Sequence, residues 1–531
     1  MKSKLLLGAE AIAQGAIDSG ISGVYAYPGT PSTEITEYIQ TSSYAKQHSV
    51  RSSWSANEKT AYEAALGMAY SGKRALVCMK HVGLNVAADA FINSAITGVK
   101  GGLVVAVADD PSMHSSQNEQ DTRVYGKFAM VPVLEPCSQQ ELYDTMFNAF
   151  NLSESTRLPV VLRLTTRLSH SRSGVQTREP IAQNELLPVE DQRSFILLPA
   201  NARIQYQKLI EKQKELEAIS EKSTLNQWIE GKGQFGVVAF GIAFNYVMEV
   251  RQAFGLEFPV LKIGQYPLPK NQITQFFETH DRILIAEEGY PVYEELLRGY
   301  FNHAKILGRL DGVLPRVGEL TPEAFITALG IEPSEKYSGS EVMANRPPEL
   351  CKGCGHRDLF DVLNELMPSY KVPRVFSDIG CYTLGALPPF EAIHTCVDMG
   401  ASVTMAKGAS DAGLHPAVCV VGDSTFTHSG MTGLLDAVND HTPVTVIISD
   451  NDTTAMTGGQ MSSATGRLKR ICEGIGVETA HIRTIIPLKK HNKENYNVLK
   501  EEFEYNGVSV VIAHRECIQT AAKSKRKKTE G

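Results

Sequence analysis

Three groups of residues have the types and spacing to do chemistry. The first is Gly422-Asp423-Ser424, which ends an apolar run over 417–421, followed by Asn451 and Thr453 after a second apolar run over 444–448. Short β-branched runs that stop on polar residues read as buried strands delivering side chains to the carboxyl edge of an α/β sheet, where ligands bind. Asp423 offers a hard oxygen, Asn451 a second and the Thr453 carbonyl a third. Magnesium is usually held by one or two carboxylates together with phosphate oxygens. The pattern therefore suits a Mg²⁺–diphosphate, with Gly422 presenting no Cβ to keep a phosphate at a distance. Positions 424–450, 27 residues, separate Asp423 from Asn451, about one helical crossover.

The second group is the cysteines. Cys351-Lys352-Gly353-Cys354 is a CxxC loop, Cys381 follows in Ile379-Gly380-Cys381-Tyr382, and Cys517 lies after an apolar run over 508–513. By itself a CxxC loop reads as zinc, redox chemistry or neither, and four thiolates can hold a [4Fe–4S] cluster. Cys78, Cys137, Cys396, Cys419 and Cys472 read as core or incidental thiols.

The third group lies near the amino terminus. Asn57 reads as a helix N-cap, placing Glu58 in the first turn, where the helix dipole favours a carboxylate. Lys80 and His81 follow another apolar run and are candidates for holding a substrate carboxylate or a reaction proton. Residues 108–119, rich in Asp, Ser and Asn, read as a long loop over the site.

These residues need α/β scaffolds. Strands are expected over 23–26, 75–79, 103–108 and 159–164, with helices between them, which predicts a parallel sheet covered on both faces. The loop after the first strand carries Gly29 and Thr30. Ala61, Ala64, Ala65 and Met68 have helical spacing after Glu58. The first 20 residues read as an amphipathic helix. Residues 205–222 read as a charged surface helix joining domains, with Leu209, Ile210, Leu216 and Ile219 apolar. A second α/β unit is expected from strands at 235–240 and 282–286 and helices at 244–254 and 293–300. Glu287-Glu288 ends its second strand and reads as architectural. A helix over 429–439 should put Leu434, Leu435 and Val438 on one side.

Gly422-Asp423 with Asn451 at this distance resembles the thiamine-diphosphate motif, with Ser424 where a third glycine is common. The continuation Thr457-Gly458-Gly459-Gln460 resembles the 2-oxoacid:ferredoxin oxidoreductases, in particular the alpha subunits of the indolepyruvate branch, over nearly the whole chain. The resemblance implies a multidomain α/β fold with doubly wound parallel sheets. Its parts are a pyrimidine-binding domain (1–175), a linker with a charged helix (176–234), a middle domain like the transketolase C-terminal domain (235–335), a diphosphate-binding domain (345–520) and a basic tail (521–531). It implies that Glu58 contacts N1′ of the aminopyrimidine and that Asp423, Asn451 and Thr453 hold Mg²⁺, while His81 is a catalytic candidate from its own place after an apolar run. It also implies cofactor contacts from Gly29, Thr30, Gly380, Cys381, Gly400, Gly422, Ser424, Thr425, Met456 and Thr457, and a [4Fe–4S] cluster on Cys351, Cys354, Cys381 and Cys517. The coenzyme would then lie between two α/β units, within one chain or across a dimer.

The activity implied is oxidative decarboxylation of a 2-oxo acid, an aryl pyruvate such as indolepyruvate, to an acyl-CoA. Coenzyme A is the cosubstrate, a small beta subunit the partner, and ferredoxin or another carrier the electron acceptor. Family alpha subunits commonly continue into a ferredoxin-like module with two CxxCxxCxxxC runs, and this sequence has no such run. An external carrier or another subunit is then expected to relay the electrons. The alternatives are a thiamine-dependent decarboxylase without redox chemistry, an assembly subunit without catalysis, and a zinc-stabilised binding protein. Composition fits an ordinary soluble globular protein: 43% hydrophobic and 21% charged residues, net charge −7. That balance argues against nucleic-acid binding. The run Lys523 to Lys528 reads as a solvated end. No apolar run reaches the length of a membrane span or a signal-peptide core, so a cytoplasmic location without membrane contact is expected.

Overall fold

The computed structural model describes residues 2–187, 195–301, 305–331, 349–396 and 398–522. The basic run at 523–528 and the boundary expected near 335–345 lie outside them. The chain forms two compact units, Met1–Ser338 and Gly339–Gly531, and both are α/β. Among the described residues, no helix is long and apolar enough to cross a membrane.

The first unit holds two main sheets. The larger runs Arg51–Trp54, Gly23–Ala26, Ala75–Lys80, Leu103–Asp109, Val160–Thr165, Val133–Leu134, Gln265–Tyr266. All its pairs are parallel except the last. Four of its strands follow from continuous apolar runs, buried on both faces as a covered parallel sheet requires. Alternate residues divide between two apolar layers: Leu76, Cys78, Val104 and Ala106 on one side, Val77, Met79, Val105 and Val107 on the other. The chain leaves Gly23–Ala26 toward Arg51–Trp54 and leaves Ala75–Lys80 toward Leu103–Asp109. The crevice between those two central strands is thus a topological switch point, where open sheets bind ligands.

The second sheet runs Ile306–Leu307, Arg282–Ala286, Phe235–Phe240, Val260–Ile263, Gln227–Ile229. Helices Ala243–Ala253 and Val292–Tyr300 accompany it. Gln265–Tyr266 leaves this region and pairs with Val133–Leu134 of the larger sheet, so the two sheets are fastened into one body. Buried charge fastens them again. Arg163 of strand Val160–Thr165 reaches Asp109 at 2.6 Å and the Glu288 carbonyl at 3.0 Å, and also binds Glu135. Arg123 binds Asp121 at 2.6 Å and Glu287 at 2.9 Å. Glu287 accepts from the backbone N–H groups of Tyr293 and Glu294 and so caps helix Val292–Tyr300. Burial pushes Glu287 and Glu288 up to about 7, against the pull of Arg123 and Arg309 respectively.

Two expectations need correction here. The amino terminus does not begin with an amphipathic helix. Lys2–Leu7 is a strand paired antiparallel with Arg172–Thr177, and helix Gly8–Asp18 follows with nearly every residue buried. That pairing joins segments 170 residues apart, and no local pattern announces it. The charged helix extends further, over Pro199–Glu221, and buries Leu209 and Leu216 while Ile210 stays exposed.

The main sheet of the second unit is parallel and runs Val375–Ser377, Val418–Gly422, Val444–Asp450, Val508–His514, Ile482–Ile485, beside a two-stranded antiparallel sheet of Thr453–Thr454 and Gln460–Met461. Val418, Val420, Ile447 and Val511 face one layer. Cys419, Val421, Val446 and Val510 face the other. The helix after Asp423 differs in register from its expected form. A π-helical turn, Phe426–Gly430, precedes Met431–Asn439, which buries Gly433, Leu434 and Ala437 and leaves Leu435 exposed. The wider turn shifts the buried stripe.

Candidate functional site

In the first unit, candidate residues collect at the switch-point crevice. Asn57 caps helix Glu58–Tyr70 by accepting from the Thr60 N–H, and Glu58 is buried at its first position. Ala64, expected on the buried side, is exposed. Glu58 also packs against the start of helix His81–Thr97. A Cβ on Gly83 would stand 2.6 Å from Glu58 Cγ and Oε1. The carboxylate thus lies beside two helix N-termini, both of which favour a negative charge. A glycine early in an otherwise helical pattern, Gly83, is the signal in the sequence for this packing.

His81 is buried and its Nε2 lies 3.2 Å from the Asn118 carbonyl, while its buried Nδ1 has no partner among the described residues. Lys80 donates to the Ser115 carbonyl at 2.5 Å, and burial pushes its ammonium down to about 8. The long polar loop therefore does fold over these residues. Asp110 holds it closed, accepting from the Ser115 N–H at 2.8 Å and the Thr166 hydroxyl at 2.6 Å. Ser115 Oγ lies 3.4 Å from the Thr30 carbonyl. Gly29 sits opposite, where a Cβ would come 3.3 Å from Lys80 Cβ. Glu58, Gly29, Thr30 and His81 thus share one rim of the first unit.

The second unit carries its candidates at the carboxyl ends of four adjacent strands. Asp378 follows Val375–Ser377, Asp423 follows Val418–Gly422, Asn451 follows Val444–Asp450, and Cys517 follows Val508–His514. Asp423 is buried, and its Oδ2 has no hydrogen-bond partner among the described residues. Burial, with Asp450 adding repulsion, pushes its carboxyl up to about 7. A buried carboxylate oxygen without a partner is costly unless a cation or a proton meets it. Asn451 Oδ1 accepts from the Thr453 N–H at 3.2 Å, and the Thr453 hydroxyl donates to the Gln460 carbonyl at 2.9 Å. Thr457 donates to Gln460 Oε1 at 2.6 Å, Ser424 Oγ accepts from Thr454 at 3.0 Å, and Met456 is exposed. An orphaned buried carboxylate oxygen, with an amide and a carbonyl from the end of the next strand, is the kind of donor set that suits a magnesium ion.

The glycines of this edge also have a packing role. A Cβ on Gly422 would lie 2.7 Å from Tyr382 Cε1, and one on Gly380 would lie 2.3 Å from the same atom. Gly422 thus makes room for the Tyr382 ring. Tyr382 in turn donates to Asp378. Asp378, pushed up to about 6 by burial, accepts from the Gly400 and Ser402 N–H groups at 3.1 Å each and so caps helix Ala401–Asp411. Gly400 has φ +90°, and a Cβ there would meet Ser429 Cβ at 2.7 Å. Thr425 donates to the Ile379 carbonyl at 3.1 Å. Asp378 and Tyr382 position this edge, and nothing in their local spacing marked them out.

All four candidate cysteines line one cavity of about 120 Å³, together with His356, Asn451 and Arg515. All are free thiols. Burial pushes Cys381 up to about 12, and Cys354, Cys517, Cys351 and Asp423 push the same way. His356, pushed down to about 4 by burial, stands 3.1 Å from Cys354 Sγ through Nδ1. Among the described residues, the His, Cys and carboxylate ligand atoms that cluster within 4.8 Å belong to Asp450, Asp452 and His514, not to these cysteines. Four thiolates at about 2.3 Å from one zinc stand only about 3.8 Å apart. Four thiols lining one cavity are a donor set of the kind that suits a [4Fe–4S] cluster.

Known proteins resemble the chain along its length. Residues 14–221 match the family model described as pyruvate flavodoxin/ferredoxin oxidoreductase, thiamine diP-binding. Residues 378–513 match that of the thiamine pyrophosphate enzyme C-terminal TPP binding domain. The chain is 39% identical to indolepyruvate oxidoreductase subunit IorA of Methanothermobacter thermautotrophicus, covering 97% of this chain and 86% of that one. It is 38% identical to the IorA subunit of Archaeoglobus fulgidus, over 98% and 88%. Among solved structures, it is similar in fold to a 2-oxoglutarate:ferredoxin oxidoreductase from Magnetococcus marinus with 2-oxoglutarate, coenzyme A and succinyl-CoA bound. The TM-score is 0.50 and the identity 15%, covering 62% of this chain and 65% of that one.

Proposed function

Because the chain belongs to the family of indolepyruvate oxidoreductase IorA subunits, we propose that it is the thiamine-diphosphate subunit of a 2-oxoacid oxidoreductase acting on an aryl pyruvate such as indolepyruvate. A 2-oxo acid and coenzyme A would give an acyl-CoA, carbon dioxide, one proton and two electrons. Thiamine diphosphate, when bound, supplies the electron sink for decarboxylation. Asp423, Asn451 and the Thr453 carbonyl would hold Mg²⁺. Glu58 would hold the aminopyrimidine at N1′, and His81 would hold or move a proton at its partnerless Nδ1. Cys351, Cys354, Cys381 and Cys517 would hold a [4Fe–4S] cluster that passes electrons to ferredoxin or another carrier. The subunit naming of the relatives supports a small partner subunit.

One observation carries this reading. The orphaned Asp423 carboxylate and four convergent thiols occupy the same edge of one sheet. Anaerobic co-expression with a candidate small subunit, followed by assay of aryl pyruvates with coenzyme A and a dye acceptor, tests it. Glu58→Gln should lower turnover by at least about 10²-fold, as for an essential proton-transfer group. Near-normal turnover of that variant would refute the role of Glu58. An iron-free enzyme releasing aldehyde would instead identify a decarboxylase without redox chemistry.

A further inference from the structure

Arg515 sits two residues before Cys517 and lines the cysteine cavity. Its backbone N–H donates to the Asp450 carbonyl at 2.9 Å, and the Cys517 N–H donates to the Asn451 carbonyl at 3.1 Å. The loop bearing Cys517 is thereby tied to the turn bearing Asn451. Its guanidinium reaches the other way. Nη1 donates to Asp358 Oδ2 at 2.8 Å and to the Pro487 carbonyl at 3.1 Å. Asp358 stands in the first turn of helix Gly355–Leu366, for which Cys354 is the N-cap. The arginine stem packs against the start of that helix, where a Cβ on Gly355 would come 3.2 Å from Arg515 Cδ. One side chain therefore joins the segment bearing Cys351 and Cys354 to the segment bearing Cys517.

We propose that Arg515 is a positioning residue for the four-cysteine site, setting the spacing of its ligands and placing a fixed positive charge beside it. The proposal rests on the cluster assigned above. A cluster on four thiolates is an anion that becomes more negative on reduction, so a permanent cation at its edge favours the reduced state. Arginine suits both tasks. Its planar fork can serve a carboxylate and a carbonyl together, which a lysine ammonium does at the cost of geometry.

The full chain, prepared anaerobically with its small subunit, separates the two contributions. The measurements are iron loss to a chelator and the cluster's reduced fraction by electron paramagnetic resonance at set potentials. Arg515→Met should cut the reduced-to-oxidised ratio at a fixed potential about tenfold, equivalent to about 59 mV for a one-electron couple. It should also loosen iron by about tenfold or more, as loss of a supporting contact does. Arg515→Lys, which keeps the charge, should hold the potential near that of the wild type while still losing iron faster. Asp358→Asn should lose iron faster too, and it provides the test from the opposite partner should Arg515→Met misfold. Wild-type potential and iron retention in the arginine variants would overturn the proposal alone. A wild-type protein that binds no cluster would overturn the proposed function and this inference with it.

Discussion

Replacing Gly422 by alanine should destabilise the Gly339–Gly531 unit even with no coenzyme present. The new Cβ would sit 2.7 Å from Tyr382 Cε1, well inside ordinary contact. The ring cannot retreat, because Gly380 closes on the same carbon from another side, and its hydroxyl is held by Asp378. The backbone at Gly422, φ −78° and ψ 158°, suits any residue, so conformational strain adds nothing. Overpacking of this kind costs about 1–3 kcal/mol. The smaller entropy of the unfolded alanine chain returns about 0.4–1 kcal/mol. The steric effect wins by roughly 1–2 kcal/mol, or a Tm lower by about 2–8 °C for a unit of this size. Denaturation of Gly422→Ala, Tyr382→Leu and the double variant provides the check. Removing the ring should relieve the clash, with a coupling of about 0.5–2 kcal/mol in the double-mutant cycle. A stable Gly422→Ala protein, or additive effects, would refute the packing role and return Gly422 to service at a phosphate alone.

Two further outcomes follow from single side chains. Asp423, pushed up to about 7, keeps its proton in the folded unit at pH values where the unfolded chain has lost it. Its contribution to stability is whole below pH 4 and falls as the pH rises through 7, by at most about 4 kcal/mol. Denaturation at pH 5 and pH 8 should show this slope in the wild type, and Asp423→Asn should flatten it and abolish any response to Mg²⁺ with thiamine diphosphate. Asn57→Ala, which removes the cap above Glu58, should cost about 1 kcal/mol by thermal melting.

The parts of the fold legible in the sequence are those fixed by local pattern. Buried parallel strands announce themselves as short apolar runs, and 23–26, 75–79 and 235–240 lie on observed strands to within a residue. The site was legible where residue types with few chemical uses recur at the ends of predicted strands. Four cysteines from three separate segments meet at one cavity, and an aspartate after a buried strand keeps one oxygen without a partner among the described residues. What the sequence concealed depends on partners distant along the chain. Lys2–Leu7 is a strand only because Arg172–Thr177 receives it. Gln265–Tyr266 leaves one sheet for the edge of another. Tyr382 matters because two glycines, 42 positions apart as 422 less 380, both face its ring.

Acidic residues at strand ends show why position alone does not identify a site. Asp109, Asp423 and Glu287 each close or follow a buried apolar strand, and each is buried. Burial raises the carboxyl of all three. Their surroundings divide them. Asp109 is met by Arg163 and the Thr122 hydroxyl, and Glu287 by Arg123 and two helix N–H groups. Those charges are compensated within the fold, and removing one partner would strand the other, which is how a buried network holds two sheets together. Among the described residues, Asp423 has no such cation, and its Oδ2 faces no donor. The fold, among the described residues, supplies guanidinium groups to two of these three buried carboxylates and none to the third. The distinction lies in the residues opposite, and these come from remote segments: Arg163 is 54 positions from Asp109, and Arg123 belongs to a helix far from Glu287 in the chain.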